Sequence, residues 1–228
     1  QAELLHRSFV SRMVELGLDC PVLRGCDAHG RPLSNHQHAQ FIPLDLDEDG
    51  RLDHMLIYAA AGLGPDDLAV LRKVRRTWSK GIDDDIIVTC IGAGNLELFR
   101  RDLRSRSGRA VGALGCGTVW ESATPLILPR HIKKNKHTPE DQIRTEFESR
   151  AWPQPQAIAF WSKEELVAAG FYRFVRTRNQ RDRKPQPPGT CPWGITLTFD
   201  EPFDATERGP MCIGYASHWG LGLFAAKE

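Results

Sequence analysis

The sequence has no long apolar run, no closely paired cysteines and almost no net charge, and each deficit removes a class of protein. Its longest apolar run, Met55 to Leu63, falls far short of the roughly 18–20 residues that a membrane-spanning helix needs. No charged-then-apolar leader opens the chain, so neither membrane insertion nor secretion is expected. The six cysteines, Cys20, Cys26, Cys90, Cys116, Cys191 and Cys212, include no C-x-x-C pair. That argues against a zinc knuckle or a dense disulfide framework and fits reduced thiols in a cytoplasmic protein. Lys plus Arg (30) nearly balance Asp plus Glu (29), a formal charge of +1, so any affinity for a polyanion has to come from segregated charge. Gly92-x-Gly94 and Gly112-x-x-Gly115-x-Gly117 lack the full dinucleotide fingerprint and its strand-to-helix setting, and read as turns.

What remains is a globular chain of 228 residues, 41% hydrophobic and 26% charged, enough for one large domain or two small ones. It starts Gln1-Ala2-Glu3 and enters a helical pattern at once, as a fragment or processed product does, so a preceding segment is expected. Leu5, Phe9 and Met13, with Val10, Val14 and Leu18 beside them, predict an amphipathic helix over 3–18. Arg24 to His38 is rich in Gly, Pro, Asn and His without periodicity and predicts a surface loop. Two apolar stretches, 39–46 and 54–60, flank Asp47-Glu48-Asp49-Gly50-Arg51 and predict a hairpin. Pro65-Asp66-Asp67 opens a predicted helix running to Trp78, and 85–91 reads as strand. An apolar segment, 118–128, then precedes a second helix opened by Thr138-Pro139-Glu140-Asp141 and striped by Ile143 and Phe147. Strands are predicted at 157–161, 172–177, 194–199 and 211–215, with a last one at 220–224. The class is α+β: two tandem ferredoxin-like domains, each with helices packed on one face of an antiparallel sheet. The divisions are 1–35, an N-terminal helix and loop; 36–117, a first ferredoxin-like domain; and 118–228, a second one ending in a glycine-rich loop.

Three segments carry chemistry. In Asn35-His36-Gln37-His38 the two imidazoles, two residues apart at the mouth of a strand, point to one side. Imidazole exchanges protons near neutral pH, so His36 and His38 are candidate acid and base; the plainer alternative is a pair of solvated loop histidines. Positive charge is segregated in Arg130-His131-Ile132-Lys133-Lys134-Asn135-Lys136-His137, which has no acid. It is segregated again over 173–184, where Arg173, Arg176, Arg178, Arg181, Arg183 and Lys184 face only Asp182. Such strips suit a phosphate backbone, with Phe171, Tyr172, Phe174 and Trp193 near enough in sequence to stack on bases. A solvated charged face over core aromatics is the alternative. The closing loop carries Gly214, Gly220 and Gly222 around Ser217-His218-Trp219. It can present N–H groups to phosphate oxygens, or simply make a tight turn before the last strand. Asp45-Leu46-Asp47-Glu48-Asp49-Gly50 copies the first half of an EF-hand loop, but Leu56 stands where the bidentate Glu belongs and strands are expected on both sides.

Together, Asn35-His36-Gln37-His38-Ala39-Gln40-Phe41, Asp49-Gly50-Arg51-Leu52-Asp53-His54, Leu128-Pro129-Arg130-His131 before Thr138-Pro139-Glu140-Asp141-Gln142, and the closing Gly-Tyr-Ala-Ser-His-Trp-Gly-Leu-Gly-Leu-Phe resemble the type I-U (I-G) CRISPR subunit. That subunit fuses a backbone-binding half to a repeat-RNA endonuclease half, and this chain is similar to the nuclease half along nearly its whole length. The closing loop is also similar to that of the wider repeat-associated RNA-binding (RAMP) superfamily. The resemblance implies tandem ferredoxin-like (RRM-like) domains that bind the CRISPR repeat hairpin and cut at its 3′ base, beside other subunits of a type I effector complex. It implies no metal and no cofactor. Chemically, a base takes the ribose 2′-OH proton, the oxygen attacks phosphorus in line, and an acid protonates the departing 5′-oxygen, leaving a 2′,3′-cyclic phosphate and a 5′-OH. His38 is the first choice for base or acid with His36 as its partner, and Arg130, Lys133 or Lys134 offsets charge on the phosphoryl oxygens. RNA contacts are expected from Arg130, His131, Lys133, Lys134, Lys136, Arg173, Arg176, Arg178, Arg181, Arg183, Lys184, Ser217, His218, Gly220 and Gly222. Two alternatives stay open: a non-catalytic guide-RNA-binding subunit, and a metal-dependent phosphodiesterase using Asp45, Asp47, Asp49 and a histidine.

Overall fold

The computed structural model describes residues 2–34, 37–77, 85–133, 136–174 and 191–227. It divides into two compact units, one of Gln1–Asp45 with Asp49–Asn95, the other of Leu46–Glu48 with Leu96–Glu228.

In the first unit, α1 (Ala2–Leu16) buries Leu5, Phe9 and Met13, the predicted four-residue stripe. Val14, placed by sequence on the neighbouring stripe, is 78% exposed. Phe9 stacks on Phe41 of β1 (Gln40–Leu44), and a short α2 (Pro21–Arg24) closes on left-handed Gly25. The hairpin forms as expected: β1 pairs antiparallel with β2 (His54–Tyr58) in a register that sets Ile42 opposite Leu56. Pro65 and Asp67 start α3 (Pro65–Lys73), the Asp67 carboxylate accepting the Gly64 N–H at 2.8 Å. The helix stops at Lys73, short of the predicted Trp78, which lies outside the described residues. The chain turns extended at Val74, and Arg76–Thr77 becomes β3, paired with β4 (Ile86–Ile87). Buried Thr77 there accepts the Ser8 hydroxyl at 2.7 Å and donates to the Leu4 carbonyl at 3.2 Å, so tertiary partners outweigh helical periodicity. Among the described residues the first unit has two separate two-stranded ladders, where sequence predicts a ferredoxin-like domain with helices on one antiparallel sheet.

The second unit runs α4 (Leu96–Asp102), β5 (Cys116–Ser122), α5 (Pro139–Ser149), β6 (Ala157–Phe160), α6 (Lys163–Ala168), β7 (Ile195–Asp204), α7 (Ala205–Arg208) and β8 (Phe224–Ala226). Its four strands form one antiparallel sheet in the order β6-β7-β5-β8, so β5 and β6, joined through α5, lie on either side of β7. Ile143 and Phe147 of α5 pack on Trp120, Ile195, Leu197, Phe199 and Phe224. Burying each such side chain contributes about 1.5–3 kcal/mol. The units part between Asn95 and Leu96, ahead of the 117/118 division read from sequence. The reason is that α4 and the glycine turn are built into the second unit. Arg100 makes two bonds to Asp204, at 3.0 and 2.9 Å, and a Cβ on Gly112 would lie 2.9 Å from that of Ala225. Two predicted strands differ among the described residues. Residues 171–173, where the predicted strand 172–177 begins, form a 3₁₀ turn, with 175–177 outside the described residues, and 211–215 contributes only a single bridge, Cys212 to Leu223.

Candidate nucleic-acid interface

Helix α5 organises the site. Thr138 caps it, accepting the Asp141 N–H at 3.1 Å while the Asp141 carboxylate accepts the Thr138 N–H at 3.0 Å, the reciprocal box expected from Thr-Pro-Glu-Asp. One residue on, the Gln142 side chain is 4% exposed. Its Oε1 accepts the Arg130 N–H at 2.9 Å and its Nε2 donates to the His137 carbonyl at 2.8 Å, a pair of partners that fixes the orientation of the amide. The basic segment 130–137 therefore leaves from and returns to one buried side chain. Toward its tip the backbone closes again, Lys133 N–H to Lys136 O at 3.1 Å and Lys136 N–H to Lys133 O at 3.0 Å. Arg130, His131, Lys133 and Lys136 are all exposed; Lys134 lies outside the described residues.

A turn further along α5, Glu146 holds the closing loop. Its Oε2 accepts the Gly214 N–H at 3.0 Å and the Arg150 Nη1 at 2.8 Å, and the Arg150 side chain is 5% exposed with its guanidinium 5.3 Å from the Trp152 ring centroid. Gln142 and Glu146 are four apart, on one face of the helix. The basic loop and the glycine loop are thus fastened to adjacent turns of the same element.

The glycines are explained by backbone packing. Gly214 (φ 87°) and Gly222 (φ 65°) sit in the left-handed region; a Cβ on Gly214 would lie 2.8 Å from the Ile127 carbonyl oxygen, and one on Gly222 would collide with the Ile213 carbonyl. The loop's N–H groups are largely engaged within the protein: Tyr215 to Ile127 O at 2.8 Å, Trp219 to Ala216 O at 2.8 Å, Gly220 to Ser217 O at 3.0 Å and Gly222 to Pro125 O at 2.9 Å. Buried Thr124 donates to the Gly220 carbonyl at 2.6 Å and accepts the Leu223 N–H at 2.9 Å. This corrects the expectation that backbone N–H groups at Gly220 and Gly222 face phosphate, since both residues are buried and their N–H groups are taken. What the loop offers outward is side chains: half-buried Ser217 and His218, the latter ring 4.6 Å from that of Trp219.

Of the cations in the second basic stretch the structure describes only Arg173, and the chain is described again from Cys191. Leu126 and Trp193 exchange two backbone bonds, each 2.9 Å, immediately before the segment that carries the basic loop. Trp193 packs edge-on against the exposed Phe160 ring at 5.4 Å. Arg173 is exposed at the end of its 3₁₀ turn, whereas Arg176, Arg178, Arg181, Arg183 and Lys184 lie outside the described residues.

His38 belongs to the first unit. It is half-buried one residue ahead of the Ala39 N–H bond to Val22 O at 2.9 Å, and its Cβ lies against left-handed Gly25 at the end of α2. Its proposed partner His36 lies outside the described residues. The carboxylates of Asp45, Asp47 and Asp49 come within 4.8 Å of one another. Asp45 uses its own to accept N–H groups of Asp49 and Gly50 at 3.3 and 2.8 Å, the work of a hairpin turn, and strands flank it as predicted. All six cysteines are free, and burial pushes Cys20 up to about 11 and Cys212 higher still, so neither is a thiolate at neutral pH.

Sequence reading missed Gln142, Glu146 and Thr124 as builders of the site. The available signal was Gln142 and Glu146 standing beside Ile143 and Phe147 on the apolar stripe of α5, where a buried polar group needs a partner. Among the described residues no helix is long and apolar enough to cross a membrane. Compared with protein-family models, with curated proteins and with solved structures, the chain gives no match.

Proposed function

We propose that this protein binds the hairpin of a CRISPR repeat transcript through its second unit and cuts it to mature guide RNA, acting in the cytoplasm with other subunits of a type I effector complex. The observation that carries the reading is the fastening of an acid-free cationic loop and of the Ser217-His218-Trp219 loop to adjacent turns of α5. The second unit then offers cations for phosphates on one loop and an aromatic ring for a base on the other. The order β6-β7-β5-β8, with a helical crossover spanning a central strand, supports a ferredoxin-like (RRM-like) fold for this unit, in keeping with the family resemblance.

In the cleavage step one of His38 and His36 takes the proton of the ribose 2′-OH, the 2′-oxygen bonds to phosphorus, the bond from phosphorus to the 5′-oxygen breaks, and that oxygen receives a proton from the other. The nucleophile is supplied by the substrate, so the step runs without a metal. The test is a set of repeat hairpins with one 2′-deoxy substitution each, incubated in chelator. One position alone should block cutting, and His38→Ala should slow cutting by about 100-fold or more with binding retained. Equal cutting by wild type and variant removes His38 from the mechanism, and sensitivity to chelator turns the assignment to the acidic loop.

A second reading, a guide-holding subunit without catalysis, is favoured by one observation: the described basic residues and the closing loop all belong to the second unit, whereas His38 belongs to the first. Retained binding with no cleavage of any hairpin would select it.

A further inference from the structure

Gln142 is an uncharged, buried residue of α5. Its two hydrogen bonds go to main-chain groups at the two ends of the basic loop, the Arg130 N–H and the His137 carbonyl. With the direct Lys133–Lys136 pair nearer the tip, the loop has two cross-links, one of backbone and one supplied by a side chain from α5. A primary amide this buried has lost its water, so both of its ends need partners, and the loop termini are those partners.

We propose that Gln142 is a positioning residue for RNA binding: its buried amide holds the basic loop closed in the free protein, so that Arg130, Lys133 and Lys136 meet phosphates without first being ordered by them. The proposal rests on the RNA-binding reading above. Its physical basis is that a loop shaped before binding surrenders less conformational freedom when the complex forms. Because Gln142 carries no charge and its amide bonds main-chain groups, removing that amide leaves the number of phosphates neutralised unchanged. The salt dependence of binding is therefore the quantity that separates positioning from charge.

The experiment measures binding of a labelled repeat hairpin by wild type, Gln142→Met and Lys133→Ala over a range of salt, together with amide exchange of the wild-type protein. Gln142→Met keeps the length and volume of the side chain and removes both bonds. It should bind about tenfold more weakly with an unchanged slope of log K against log salt, while Lys133→Ala lowers that slope by about one. In the free wild-type protein the amides of Arg130, Lys133 and Lys136 should already exchange slowly, with little added protection when RNA is present. Wild-type affinity in Gln142→Met, or rapid exchange at Arg130 that slows only with RNA, overturns the positioning role. Should Gln142→Met not fold, as read by circular dichroism, the exchange result decides alone. Wild type that fails to bind the hairpin in a salt-dependent way overturns the RNA-binding reading itself, a failure distinct from fast exchange in a protein that does bind.

Discussion

Individual side chains divide into those that carry charge outward and those that hold the loops from within. Lys133 is of the first kind, exposed and free of acidic neighbours in its own segment, and Lys133→Ala should weaken RNA binding and flatten its salt dependence in a filter-binding titration. An unchanged slope would place this cation in bulk solvent. Gln142, Glu146 and Thr124 are of the second kind: the apolar stripe of α5 marks Gln142 and Glu146 for burial, but the main-chain groups that each of the three holds are set by the folded chain. His6 shows the same division in the first unit. Its Nε2 lies 3.0 Å from the Leu23 carbonyl, which can only accept, so that nitrogen carries the proton, and the ring meets Phe41 edge-on at 5.5 Å. Burial, outweighing its backbone hydrogen bonds, lowers its pKa below the ordinary 6.5. The unfolded chain therefore takes up a proton first as pH falls. Stability from the neutral ring is complete above 6.5 and is lost as pH drops from there through the lowered folded value. Denaturant midpoints should decline over that window in wild type and stay flatter in His6→Gln, ahead of the titration of the ordinary carboxylates.

At the level of elements, legibility tracks how local the cause is. Helix α5 is written in adjacent residues, a Thr-Pro-Glu-Asp start and a stripe at Ile143 and Phe147, and it forms where expected. The β1–β2 hairpin likewise follows from its Asp-Gly turn, with Gly50 at φ 81°. Helix α3 runs short because Thr77 finds partners on α1, some 70 residues earlier in the chain. The segment 211–215 stops at a single bridge for a similar reason: past Cys212 and Leu223 the N–H groups of Gly214 and Tyr215 go to Glu146 and to the Ile127 carbonyl rather than along a neighbouring strand. The conformation of the closing loop depends on Gly222, and Gly222→Ala should destabilise the protein by about 1–2 kcal/mol from left-handed backbone alone. The clash with the Ile213 carbonyl adds to that. Thermal unfolding gives the first effect. The second consequence is weaker RNA binding although no side chain that meets RNA has been altered, and unchanged affinity would show that the loop takes no part in the interface.

For the whole molecule, a formal charge of +1 means that the proposed binding to nucleic acid has to arise from where cations sit, not from how many there are. Phosphate contacts do not distinguish ribose from deoxyribose, whereas cleavage by an internal nucleophile does. A DNA copy of the repeat hairpin should bind with a salt slope close to that of the RNA and remain uncut after prolonged incubation, as read on a denaturing gel. Cutting of the DNA copy would replace the mechanism altogether. By itself the sequence determined the α+β class, the segregation of charge into 130–137 and 173–184, the α5 start and the first hairpin, because each follows from residues within a few positions of one another. Only the tertiary structure decided that β7 runs between β5 and β6, that α4 belongs with the second unit, and that α5 grips the basic loop and the closing loop on successive turns. Those outcomes turn on pairings across long stretches of chain, such as Glu146 with Gly214, and on which polar groups lose their water when the core closes.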